Sequence, residues 1–293
     1  MNWLLYAILG VAMLGVSPVF AKSGMHKSNV HLAASLRGTM LLVSAVFMIN
    51  LTGSGVNLMA LGHTALLYLF FSGLATGMTW VCLLRALQYG EVIKVVPIVL
   101  GSEICNLLIG MIVFREAVTW NKIIIMVLLI AGVFMMSIKN SGRRSRGGAW
   151  VGYALAAMGL TTVAYVLERI GGVSGNVYGE RMIMRYGVAV LVVWILTFAT
   201  GGYKGLRAMS FLDGTYLCLS GLTLGASWFC IYQANLLGPN NAVAMIGSFE
   251  ILAAVAFGCV FMRERMSVRA IFGMIFLIAG FLLQQIPLPV IPV

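Results

Sequence analysis

Residues 72–90 read SGLATGMTWVCLLRALQYG, and residues 220–238 read SGLTLGASWFCIYQANLLG. The second stretch repeats the first at an offset of 148. Ser72, Gly73, Gly77, Trp80, Cys82, Ala86 and Gly90 meet their identical counterparts Ser220, Gly221, Gly225, Trp228, Cys230, Ala234 and Gly238. The same offset pairs Gly110 with Gly258, Arg115-Glu116 with Arg263-Glu264, and Arg37 with Arg185; it also sets LIAG at 129–132 against LIAG at 277–280. Near the start of each half the register slips by one, matching Trp3 with Trp150 and Tyr6 with Tyr153. Shared composition alone would not place Gly, Trp and Arg-Glu in register, so the pattern reads as an internal duplication.

The composition says where such a chain lives. Of its 293 residues 61% are hydrophobic and 9% charged, with a mean hydropathy of +1.01. A soluble domain carries about 45–50% apolar and about 25% charged residues. A water-soluble enzyme, a disordered chain and a secreted disulfide scaffold are excluded. Runs of about 20 apolar residues suit a hydrocarbon core about 30 Å thick. They predict ten spans, at 2–23, 31–50, 63–87, 91–114, 120–138, 149–169, 178–200, 212–236, 239–262 and 267–286. The N-terminal run lacks a basic n-region and is long enough to span, so it reads as a retained helix rather than a signal peptide. The expected fold is an all-α membrane protein whose ten transmembrane helices form two inverted five-helix repeats. Residues 1–140 make the first repeat, 141–148 a basic connecting loop, and 149–293 the second. Five is odd, so the second repeat starts from the opposite membrane face. Inverted repeats of this kind build alternating access around a central site in many secondary transporters.

The chain resembles the EamA family of the drug/metabolite transporter superfamily. The likeness rests on RALQYG, FREAVTW and LIAGVFM in the first half, and on QANLLG, MRERMSV and LIAGFLL in the second. Asn235 departs from the pattern, standing where the first copy has Leu87. The resemblance implies a ten-helix carrier in the cell membrane, usually an exporter of small metabolites such as amino acids, or of drugs.

Ionisable groups inside a membrane are costly, so each marks a functional-site hypothesis. Glu103 and Glu250 fall near the middle of spans four and nine. Loss of water disfavours the charged form of a carboxyl group, which makes either one a candidate for proton coupling or for binding a substrate amine. Asn106 follows Glu103 by three residues, and Ser248 precedes Glu250 by two. Trp80 and Trp228 lie too deep for an interfacial belt and read as cavity walls. Tyr232 and Gln233 follow Trp228 by about a turn. Arg37 and Arg185 are charge-partner candidates, since a guanidinium can grip a carboxylate in a bidentate fork. The alternatives are head-group snorkelling or pairing with a Glu. Pro97 predicts a kink in span four. The glycines at 73, 77, 221 and 225 have the spacing of a helix-packing motif, and the Arg-Glu pairs read as tight turns at helix ends.

The cysteines read as small buried hydrophobes. No catalytic or metal-binding motif is present, which predicts no enzyme activity, no cofactor and no metal. The net charge of +11 comes mostly from short connectors, where basic residues orient helices, and predicts no nucleic-acid partner. The expected partners are a small-molecule substrate and the lipid bilayer, with the chain a monomer or homodimer. The alternative function is a passive channel-like or lipid-handling membrane protein. Connectors after odd-numbered spans hold thirteen Lys and Arg residues, against four after even-numbered ones. The positive-inside rule puts the thirteen in the cytoplasm and both termini outside, whereas the resemblance implies cytoplasmic termini.

Overall fold

The computed structural model describes residues 2–25, 28–51, 61–137, 148–171 and 178–285. The TGSG turn at 52–55, most of the connecting loop at 141–148 and the PLPVIPV tail lie outside the described residues.

The described residues form twelve α-helices. They are α1 (Trp3–Ser23), α2 (Val30–Leu51), α3 (His63–Tyr89), α4 (Val92–Leu100), α5 (Ser102–Ile112) and α6 (Trp120–Ser137) in the first half. In the second half are α7 (Ala149–Ile170), α8 (Tyr178–Ala199), α9 (Phe211–Leu237), α10 (Asn240–Gly247), α11 (Glu250–Met262) and α12 (Val268–Gln285). Together they make ten apolar segments long enough to cross a bilayer. Large apolar side chains such as Phe47, Leu51, Ile112, Phe134 and Leu191 stand exposed on their outer faces. With lipid outside, a helix can be apolar on every side and still satisfy its backbone internally.

Spans four and nine are each divided into two helices, where the sequence predicts a kink at Pro97 in span four and an unbroken span nine. Span four breaks at Gly101, where the Gly101 N–H reaches back to the carbonyls of both Pro97 and Ile98, and Ile104 N–H to Gly101. Span nine breaks at Ser248 and Phe249, where Phe249 N–H takes the Ile246 carbonyl, three residues back. Bonds to the third residue back tighten the turn and interrupt the regular helix. The first break lies four residues after Pro97, whose missing N–H and crowding ring act on the turn before it rather than on Gly101. The second has no proline. Yet Gly101 and Phe249 are separated by the repeat offset of 148, so the interruption falls at equivalent places in the two halves.

The most extensive helix packing runs across the halves rather than within them. α1 packs on α9 and α11, and α2 on α9. Their repeat counterparts do the same: α7 packs on α3 and α5, and α8 on α3. α2 also meets α8, and α6 meets α12. The paired glycines explain how close the backbones come. A Cβ on Gly221 would meet the Arg37 carbonyl oxygen at 2.2 Å, and one on Gly225 would meet Ser44 Oγ at 1.6 Å. In the other half, a Cβ on Gly73 would meet the Arg185 carbonyl oxygen at 2.7 Å. Small residues allow such approach where no hydrophobic force separates helix from lipid. Gly225→Leu is therefore expected to force α9 from α2 and lower the thermal midpoint of the detergent-purified protein. Gly152→Leu, at a site with no heavy atom within 4 Å of an added Cβ, leaves it unchanged; a scan of both variants checks this.

Candidate functional site

A cavity of about 490 Å³ lies at the centre of the bundle. It is lined by residues of both halves, among them Trp80, Glu103, Trp228, Ser248, Glu250, Arg37 and Arg185. Seven of the sequence candidates thus converge on one space. Asn106, Tyr232 and Gln233 do not line it. Asn106 lies within hydrogen-bonding reach of the Glu103 carboxyl, one turn further along α5, and its Oδ1 is buried without a partner. Tyr232 and Gln233 sit a turn beyond Trp228 towards the end of α9.

The helix breaks place the two carboxyls. Glu103 is the second residue of α5, and Glu250 the first residue of α11. Each sits where a new helix begins, the end at which free N–H groups favour negative charge. Both line the same cavity. Among the described residues neither belongs to an ion pair.

The two arginines are repeat-related but differently held. Arg185 donates from Nε to Thr76 Oγ1 at 2.9 Å and from Nη1 to Glu168 Oε2 at 2.7 Å. Its guanidinium lies 4.9 Å from the Tyr165 ring centre. Arg37 is only 5% exposed and meets hydroxyls alone. Nε donates to Ser220 Oγ at 2.9 Å and Nη2 to Ser17 Oγ at 3.3 Å. Among the described residues it has no carboxylate partner. The reason is a single position. In the register of the first helices, Ala21 stands where the second half has Glu168. A buried cation without a counter-ion is expensive, and Arg37 faces the cavity.

Trp80 is buried and stacks on Tyr186, with ring centres 6.0 Å apart. Its indole lies against Gly38, where an added Cβ would come within 2.6 Å of the ring. Trp228, its repeat counterpart, lines the same cavity. Thr76, Thr79, Tyr165, Tyr186, Gln284 and Gln285 also line it and were not singled out by the sequence. Thr76 and Thr79 bond the carbonyls of the preceding turn and look like ordinary helix residues until the fold aims them inward. Tyr186 follows Arg185 directly in the chain, which is a usable signal, whereas Tyr165, on α7, comes beside Arg185, on α8, only in the folded bundle. Among the described residues no group of three or more His, Cys, Asp or Glu side chains is gathered to hold a metal.

These observations define a multi-pass helical membrane protein with a charged central cavity, built like a transporter. The model of the EamA-like transporter family matches residues 1–138, so the first half of the chain is similar to that family. Over 137 residues the chain is 26% identical to a Sinorhizobium protein named as an uncharacterized transporter in the cobO 3' region. That stretch covers 47% of this chain and 97% of the relative. The relative is thus about half as long as this chain.

Proposed function

We propose that the protein is a secondary active carrier that exports small zwitterionic metabolites, amino acids or related compounds, by alternating access between two inverted five-span repeats, 1–140 and 149–293. The observation that carries this reading is the charge inventory of one cavity. It presents a guanidinium without an acid partner and two carboxyls without basic partners. A solute with a carboxylate and an ammonium group completes both sets. Arg37 meets the carboxylate, Glu103 and Glu250 the amine, and Trp80 and Trp228 flank the apolar part. When no amine is bound, the same carboxyls can carry protons.

The inverted arrangement is supported by the odd number of spans in each half, by packing partners that interchange when the halves are exchanged, and by helix breaks at equivalent positions. Broken helices that meet near the midplane are how inverted-repeat carriers present backbone and side-chain groups to a solute. The export direction rests on the family likeness alone.

The test is counterflow in proteoliposomes loaded with an unlabelled neutral amino acid. Labelled amino acid outside is expected to accumulate transiently above its equilibrium level. Analogues that lack either the amine or the carboxylate drive no such overshoot. A passive channel gives none with any solute, and an overshoot driven equally well by a singly charged analogue overturns the zwitterion reading.

A further inference from the structure

The Arg-Glu turns at the ends of spans four and nine share one local geometry but reach different things. Arg115 and Arg263 both take a left-handed backbone with φ of 52°. The following Glu116 and Glu264 N–H groups both return to a glycine carbonyl, Gly110 and Gly258. Glu264 is buried, its side chain 4% exposed. Its carboxylate accepts from the backbone N–H groups of Val92 at 3.0 Å and Ile93 at 3.1 Å, and from Lys22 Nζ at 2.6 Å. Lys22 also donates to the Gly90 carbonyl at 2.8 Å. One side chain thereby ties together the ends of α1, α3 and α11 and the start of α4.

The repeat supplies every part of a second such knot. Glu116 corresponds to Glu264, Arg169 to Lys22 in the register of the first helices, Gly238 to Gly90, and Asn240 and Asn241 to Val92 and Ile93. Here the knot is not tied. The Glu116 side chain is 32% exposed and takes Lys122 and Arg169 instead. Those two cations hold its carboxyl below the usual carboxylate range. Asn240 and Asn241, which open α10, are exposed, whereas Val92 and Ile93 are buried. The two knots lie on opposite faces, because span four runs from one to the other. The cavity extends to Gln284 and Gln285 at the far end of α12, the face on which Glu116 lies.

We propose that Glu264 and Glu116 are alternate latches, each capping the first turn of the other half's broken helix, so that only one face is tied shut at a time. This structure is tied at Glu264 and untied at Glu116. In the opposite state Glu116 leaves Lys122, takes the N–H groups of Asn240 and Asn241 while keeping Arg169, and Glu264 releases α4. A carboxylate on free helix N–H groups is a charge-assisted contact, and exchanging one such contact for its twin keeps the two states close in free energy. The latch rests on the alternating-access reading above.

Hydrogen–deuterium exchange on the full-length protein in lipid nanodiscs tests it. In the unmodified protein the amides of Val92 and Ile93 exchange more slowly than those of Asn240 and Asn241. Glu264→Gln is expected to speed exchange at 92–93 by about tenfold or more and to slow it at 240–241, because the population moves to the other state. Glu116→Gln shifts both in the opposite directions. Lys22→Gln, which leaves the carboxylate cap in place, repeats the Glu264→Gln pattern more weakly and serves should the stronger variant fail to fold. Loss of protection at 92–93 with no change at 240–241 means a local cap only and overturns the latch. Counterflow on the same samples separates the two proposals. Intact overshoot in the unmodified protein with non-reciprocal exchange sinks the latch alone. Reciprocal exchange without any overshoot sinks the carrier reading and upholds the latch.

Discussion

The Arg37→Gln variant is expected to lose solute binding by about thirtyfold or more while the empty protein becomes no less stable, and even melts later. Arg37 enters a buried site with hydroxyl partners alone, so in the empty cavity its charge is uncompensated. Replacing an unpaired buried charge removes a desolvation penalty. Nothing is orphaned by the change, because Ser17 and Ser220 already donate to one another's carbonyl oxygens, each at 2.9 Å. With solute bound the balance reverses. Removing one member of a buried, hydrogen-bonded charge pair costs about 2–5 kcal/mol, and about 1.4 kcal/mol is a factor of ten. Arg37→Lys restores little, since an ammonium lacks the planar fork. Thermal melts with and without amino acid, read beside counterflow, decide the matter. If Arg37→Gln lowers the melting temperature of the empty protein and leaves the ligand-induced shift intact, the guanidinium is structural.

The second large effect is expected from Glu103→Gln combined with Glu250→Gln. Both carboxyls face one cavity, and either can serve as partner to a solute amine, so a single substitution leaves a substitute in place. With both replaced, exchange of labelled amino acid falls by about tenfold to a hundredfold, the worth of a hydrogen bond to a charged group at about 1.5–3 kcal/mol. On the proposed proton-carrying role of these carboxyls, whatever exchange remains is expected not to respond to an imposed pH gradient. Uptake into proteoliposomes with and without such a gradient measures both consequences. Gradient-driven uptake that survives in the double variant removes these carboxyls from the coupling mechanism. Both substitutions are near-isosteric, so a loss of fold is not expected to confuse the result.

The sequence carried a good deal of this. The repeat offset located the matched glycines, and these turned out to be the points where α3 meets α8 and α9 meets α2. Hydropathy placed the ends of most spans within a few residues, because hydrocarbon thickness sets helix length. Intramembrane charge singled out Glu103, Glu250, Arg37 and Arg185, and the fold gathered all four around one cavity. Spacing along a helix misled for Tyr232 and Gln233. Proximity to Trp228 in the chain does not say how far a cavity extends along a helix. Pro97 was read as a kink, but the interruption lies at Gly101, and span nine breaks without any proline.

By itself the sequence determined that the protein is a ten-span membrane protein with a duplicated plan and few charges inside it. Those properties follow from composition and period, which act residue by residue and do not depend on what packs against what. Only the tertiary structure decided that Arg37 goes without an acid while Arg185 has Glu168, and that Glu264 holds α4 while Glu116 leaves α10 exposed. Near-identical motifs take different partners because a partner is fixed by distance across helices.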